Sequence, residues 1–331
     1  MTTKTSHSFN NSPDGLLAWL DSVRGTSALK VLTGLRGVGK SRILSRWRDH
    51  LIATGVPEDH VVCVDAEEPI LRHLGTQSDV LAYFRTQLPT DGTVYILLDE
   101  PAAFPDFEII LESLRNNPNH DVYVTLSSRR LLEGTTSGSL PRTIAHREIL
   151  PSISSTSDYE NTDKRSYWNE IMLRDVLSGG RTLDASLVER IAAHLSDNVG
   201  TPLSLRTVSA AVSPQGHILS PNTINAYVDA LVGSCLVERA YRYDEFTGNI
   251  LRTNYRIFFT DPRLRFDHFG PAPEDEERRQ QLNSAWLELR HLSPRVYVPK
   301  EDREEYDLLA VVDGYMRPFK CVNGHAVAVS N

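Results

Sequence analysis

Gly34, Leu35, Arg36, Gly37, Val38, Gly39, Lys40 and Ser41 stand in the order and spacing G-x-x-x-x-G-K-[ST]. Three glycines let successive backbone N–H groups curl into one concavity, and at the start of a helix that nest suits a polyphosphate. In such a loop the lysine reaches the β- and γ-phosphates and the hydroxyl after it is a ligand for Mg²⁺. The chemistry expected is therefore nucleotide binding, with residues 34–41 and Arg42 as the contact set, Lys40 acting on the phosphates and Ser41 on the metal.

The flanking residues supply the elements such a loop needs. Leu29, Val31 and Leu32 read as a buried strand entering it. Ile43, Leu44, Trp47 and Leu51 fall on one face of a helix leaving it. A second apolar run, Val94–Leu98, ends in Asp99 and Glu100, as a central parallel strand buried on both faces would. Asp99 is placed to hold the Mg²⁺ shell, commonly through water, and Glu100 to polarise the attacking water as general base. Strand-like runs at His60–Asp65 and Val122–Leu126 complete a βαβ series, hence a parallel sheet with helices on both faces. A strand between the two motifs, and a Glu beside the acidic Asp, suit the AAA/RecA-like branch of P-loop NTPases. There a polar side chain after the 122–126 strand touches the γ-phosphate or the lytic water. Ser127 is the candidate and Ser128 the alternate. Arg142, with Arg129 and Arg130 as competitors, could reach into a neighbouring copy's site as a transition-state finger. A homo-oligomer would follow from that role.

Composition narrows the class. The chain has 331 residues, 40% hydrophobic and 24% charged, which is ordinary for a globular protein of two or three domains. A net charge of −8 excludes a chain-wide basic surface for nucleic acid, leaving only local patches. Cys63, Cys235 and Cys321 are far apart and lack C-x-x-C spacing, so neither disulfides nor a zinc cluster are expected. No signal-peptide core and no apolar run near the ~20 residues of a membrane span are visible. The expectation is a soluble, cytoplasmic protein with no membrane partner. The N-K-x-D motif of guanine readers is missing, which favours ATP.

Beyond a Ser/Thr/Asp/Asn-rich stretch at 152–164, residues 185–265 read as a winged helix. Leu187–Leu195 and Leu203–Val212 are helical patterns. A third helix is marked by Ser220 as cap, Pro221 as first residue and Gly233 as stop. Cys235–Tyr243 and Asn254–Phe259 then form a hairpin wing. Such modules often read DNA through the third helix. Here its polar face (Asn222, Thr223, Asn225, Asp229) has no Lys or Arg, while phosphate contacts dominate DNA affinity. Interdomain packing is the favoured role. DNA stays a candidate partner only through Arg239, Arg242, Arg252 and Arg256.

The chain resembles the prokaryotic AAA-type ATPases with an AAA_14 core and a DUF4143 C-terminal region. Lys30–Ser41 is similar to that family's phosphate loop, with Leu35 in place of the usual Pro and Gly37 of the usual Arg. Asp99–Glu108 is the most specific match, keeping the acidic pair, Pro105, an aromatic and Glu108. Val124–Leu132, Ile149–Ile153, Leu177–Gly180 and Tyr255–Pro262 follow in family order, although the Phe-Pro-Glu expected after Gly180 is missing. The fold implied is an α/β P-loop core over residues 1–160, a winged-helix domain over 161–265 and a small restriction-nuclease-like α/β domain over 266–331. In that last fold a working site needs two or three carboxylates on Mg²⁺. Asp307 fits one position, Glu288 is a substitute for another, and Pro318 stands where the partner of Lys320 should be. A degenerate domain is expected. The overall expectation is Mg²⁺-dependent ATP hydrolysis that drives conformational change in the attached domains. The alternatives are a slow nucleotide-gated regulatory or defence switch and a DNA-binding ATPase.

Overall fold

In the computed structural model, residues 11–129, 132, 144–151, 164–178, 183–213, 218–270 and 276–329 are described. They form two compact units, one of residues 11–149 and one beginning at Leu150.

The first unit is built on strands β1 (Leu29–Thr33), β2 (Val61–Asp65), β3 (Val94–Asp99), β4 (His120–Leu126) and β5 (Ile144–Glu148). All neighbours pair in parallel, in the order β2-β3-β4-β1-β5. The apolar runs face both ways. Val31, Ile96, Leu98, Val122 and Val124 pack with Val80 and Phe84 of α3 (Gln77–Gln87) and Ile110, Leu111 and Leu114 of α4 (Phe107–Arg115). Leu32, Tyr95, Leu97 and Tyr123 pack with Leu16 and Leu20 of α1 (Pro13–Val23) and Ile43, Leu44, Trp47 and Leu51 of α2 (Lys40–Ala53). Period-2 alternation in the central strands therefore feeds two cores, and helices cover both faces as βαβ crossovers require. β4 lies between β1 and β3, so the phosphate-loop strand and the acidic strand are not neighbours. The strand lying between them in sequence, β2, sits at the sheet edge. Capping is local and legible: Ser12 accepts from Gly15 N with Pro13 opening α1, and Thr76 and Asp79 form a reciprocal capping box on α3.

The second unit starts with α5 (Lys164–Ile171), a π-turn to Val176, and α6 (Ala185–Asp197), α7 (Leu205–Val212) and α8 (Pro221–Gly233). Ser220 caps α8 by accepting from Thr223 N, with Pro221 at its first position. A hairpin follows, β6 (Val237–Asp244) and β7 (Asn249–Phe259), and Pro202 between α6 and α7 bridges to Arg256 of β7. Two helices follow: α9 spans Pro262–Phe269 and α10 spans Glu276–Leu292. Asn283 of α10 exchanges two hydrogen bonds with the Phe259 backbone, at 3.0 and 2.8 Å, and Trp286 stacks on Phe258. Strands β8 (Val296–Pro299), β9 (Leu308–Val312), β10 (Tyr315–Val322) and β11 (His325–Ala328) then extend the hairpin. They make one six-stranded sheet ordered β11-β10-β9-β8-β6-β7, joined by the parallel pairing of Arg242 and Tyr243 with Val298 and Pro299. Residues 161–265 and 266–331 thus share a sheet. No described helix is long and apolar enough to cross a membrane.

Candidate functional site

The C-terminal ends of parallel strands open onto the crevice where α/β sheets bind ligands. Four strands deliver the candidate residues there: β1 leads into Gly34–Lys40, β2 ends at Asp65, β3 at Asp99 and β4 into Ser127. Gly37 (φ 74°) and Gly39 (φ 96°) take left-handed conformations that other residues avoid. Gly34 is required for another reason: a Cβ there would lie 2.4 Å from the Ile149 carbonyl oxygen. Gly34 and Leu35 are buried, Gly37, Ser41 and Arg42 are exposed, and Arg36, Val38 and Gly39 lie between. Gly39 is the N-cap of the fourteen-residue α2, so the helix dipole and its first free N–H groups face the loop.

Lys40 is only 4% exposed. Its ammonium donates to the carbonyls of Gly34 (3.0 Å) and Leu35 (3.2 Å) and to Ser127 Oγ (2.7 Å), and it pairs with Glu100 Oε1 at 3.2 Å. Ser127 in turn holds both oxygens of Glu100. Its N–H donates to Oε2 at 2.9 Å and its hydroxyl to Oε1. Burial pushes the Glu100 carboxyl up, but the Lys40 charge and the Ser127 donors outweigh it and hold the group below the usual glutamate range. Glu100 sits at φ 47°, a strained left-handed setting that turns the chain sharply after β3.

Asp99 behaves in the opposite way. Burial raises its carboxyl above the usual aspartate range, against hydrogen bonds from the Ser41 and Thr125 hydroxyls, and nearby Glu100 and Asp65 add to the rise. The Ser41 hydroxyl thus lies beside the Asp99 carboxylate. Among the described residues no group of three or more His, Cys, Asp or Glu side chains is arranged to hold a metal. The Ser41–Asp99 pair is a set of hard oxygen donors of the kind Mg²⁺ takes alongside waters and phosphate.

The sequence reading missed three contributors. Thr125 donates to Asp99 Oδ1 and accepts the Glu100 N–H (3.2 Å), tying both acidic residues to β4. Its position near the end of β4, two before Ser127, was the available signal. Glu67 pairs with both terminal nitrogens of Arg36 at 3.2 Å, bracing the loop against the turn after β2. Asp65 stands in register opposite Asp99. Arg129 is held against Glu148 of β5. Arg142 and Arg130 lie outside the described residues. The arginines near the wing make internal contacts: Arg239 pairs with Asp229, Arg242 donates to the Thr253 carbonyl (3.1 Å), Arg256 pairs with Asp302, and the exposed Arg252 lies over the Tyr241 ring. Asp307 accepts from Cys321 N (2.9 Å), while Glu288 accepts from Ala326 N (2.8 Å), so each carboxylate of the expected nuclease set serves the sheet.

A parallel sheet with a phosphate loop after β1 and an acidic pair after β3 defines the P-loop nucleotide-binding class. Residues 26–155 match the family model described as AAA domain. Residues 148–270 match a domain of unknown function, DUF8612, which replaces the DUF4143 assignment suggested by resemblance. An uncharacterized protein of Haemophilus influenzae is 24% identical over 334 residues, covering 90% of this chain and 83% of its own. Among solved structures, the chain is similar to a Walker-type ATPase of Pyrococcus abyssi (12% identity, 78% of this chain and 95% of that one, TM-score 0.45). It is also similar to a DNA replication initiation factor (14% identity, 66% and 86%, TM-score 0.32). Superpositions this loose bear on neither mechanism nor partner.

Proposed function

We propose that the protein binds ATP with Mg²⁺ and hydrolyses it, and that its nucleotide state changes the conformation of the unit beginning at Leu150. The observation that carries this reading is the Lys40–Ser127–Glu100 constellation, which links phosphate loop, strand end and acidic pair within hydrogen-bond reach. Mg²⁺ would supply charge neutralisation and orientation of the phosphates. Ser41 and Asp99 are the residues that would hold it, and the amides of 34–41 with Arg42 at their margin would take the phosphates. Lys40 would neutralise charge on the terminal phosphates, and Glu100 would take the proton of the attacking water. Ser127 orients the Glu100 carboxylate through two donors, so it acts as a positioning residue in addition to sensing the phosphate. An arginine such as Arg142 from a second copy would complete the transition-state charge.

The division of labour we favour has the ATPase core in residues 1–160 and the output in 161–265 and 266–331, which share a sheet and would move as one body. The order of three helices and a hairpin, with Pro202 bridged to β7, supports a winged-helix reading. The pairing of Arg239 with Asp229 and of Arg256 with Asp302 supports a packing role over DNA reading. The backbone N–H groups that Asp307 and Glu288 accept, from Cys321 and Ala326, support a degenerate C-terminal domain. A slow nucleotide-gated switch is the second reading, favoured by how firmly Lys40 and Ser127 grip Glu100.

Steady-state ATP hydrolysis by the full chain, over a range of protein concentrations and with or without duplex DNA, tests these readings. Turnover per subunit that climbs with concentration is expected if an arginine acts in trans. Tight ATP binding without turnover at any concentration would replace hydrolysis by the switch. Stimulation by duplex DNA would overturn the packing role of the hairpin module.

A further inference from the structure

A cavity of about 390 Å³ opens within the second unit, between residues 200–202, β7, the first turns of α10, the end of β8 and the 302–307 connection. That volume is within the range of small-molecule sites. None of its lining comes from residues 11–149, so it is separate from the phosphate loop. Four guanidinium groups line it (Arg256, Arg278, Arg279 and Arg303) against two carboxylates (Asp302 and Asp307). Four minus two leaves a surplus of two positive charges, in a chain whose net charge is −8.

The carboxylates do not neutralise the cavity. Asp302 is committed to Arg256, which also donates to the Gly200 carbonyl at 3.1 Å. Asp307 is shared by two cations, Lys320 at 3.4 Å and Arg278 at 3.6 Å, and also accepts the Cys321 N–H. Arg278 is held by this one long contact and is 82% exposed. Arg303 has a buried Nε with no acceptor, and its guanidinium lies near the Tyr306 hydroxyl. A buried donor without a partner is costly to keep unless something else satisfies it. Tyr306 itself donates to Glu245, which fixes the ring at the cavity wall. Pro202, Leu282 and Pro299 supply carbon surface beside it.

We infer that this cavity binds a small phosphate monoester, its phosphate dianion held by Arg278 and Arg303 and its organic body lying on Pro202, Leu282 and Tyr306. Among the lining side chains the surplus equals the charge of a phosphate ester dianion. Planar guanidinium forks match its oxygens, whereas a carboxylate would use fewer of the donors and leave one charge over. The apolar wall is what separates an ester from the free ion.

Calorimetric titration of the full chain carrying Lys40→Ala, with AMP and with inorganic phosphate as probes, tests the site. AMP is expected to bind one to one, about tenfold or more tighter than phosphate, and more weakly at raised salt. Arg278→Ala and Arg303→Gln should each weaken AMP by about tenfold, the size of one lost charge-assisted contact. Arg278 is exposed, so its variant should melt as the parent does. AMP binding left unchanged in both arginine variants would assign it to the phosphate loop and overturn the inference. Equal affinity for inorganic phosphate would overturn the ester assignment. No saturable binding of either probe, or binding only of a single-stranded oligonucleotide, would overturn the site as described.

Discussion

Glu100 and Asp99 are adjacent in the chain, yet their surroundings drive their carboxyls apart. Lys40 and Ser127 hold Glu100 ionised, while burial raises Asp99. The metal-binding form of Asp99 is the carboxylate, so Mg²⁺ binding must release whatever proton it holds. Mg²⁺ affinity of the ATP complex should therefore weaken as pH falls, starting above the usual aspartate range. Titrations of Mg²⁺ at a series of pH values check this, and Asp99→Asn should abolish the dependence. On stability the two groups act with opposite sign. Glu100, depressed, contributes stability above the pKa of an unfolded glutamate, and that contribution is lost as pH falls through its lowered folded value. Asp99, raised, favours the fold while protonated and loses that contribution as pH rises through its folded value. Lys40→Ala removes a charged donor from the phosphates and should weaken ATP by about 10- to 100-fold in an equilibrium titration. The loop residues were legible because glycines, lysine and serine carry their chemistry in adjacent positions. The grip of Ser127 and Thr125 on the acidic pair was not, because it joins residues more than twenty positions apart through strand register.

At the scale of elements, the phosphate loop depends on backbone contact. Gly34 runs against the residue just after β5, and Ile149 N donates to Thr33 O at 2.7 Å. Gly34→Ala must push Ile149 away or distort the loop, a misfit of about 1–3 kcal/mol. Urea unfolding should register that loss, with ATP affinity falling alongside it. Strands β1 to β4 and helices α2 and α6 to α8 were readable from period and caps because each has its own hydrophobic face. The pairing of β6 with β8 was not, since Arg242 and Val298 are far apart in sequence and nothing local marks a parallel neighbour. That pairing merges the two C-terminal domains expected from sequence into one sheet. The arginines near the hairpin illustrate the same limit: their number suggests a patch for phosphate, and only the fold shows Arg239 and Arg256 paired with carboxylates. Replacing Arg252 with Ala should leave the anisotropy of a labelled duplex DNA in the presence of the full chain unchanged.

For the whole molecule, the account requires that nucleotide bound in residues 11–149 be felt beyond Leu150. Hydrogen exchange of the full chain with ATP and with ADP can follow this region by region. Protection that differs between the two nucleotides in the phosphate loop and also in α5 to α10 is expected. Differences confined to residues 11–149 would leave the ATPase core without an output in this chain. The proposed hydrolysis rests on one carboxylate, Glu100. The decisive measurement is a single-turnover assay with ATP and Mg²⁺ bound beforehand, comparing the natural chain with Glu100→Gln at matched occupancy. The account predicts phosphate formation by the natural chain and a loss of about 10²- to 10⁴-fold in the variant, with ATP affinity kept. Equal rates in the two proteins would contradict it, because the group assigned as general base would then take no part in the reaction.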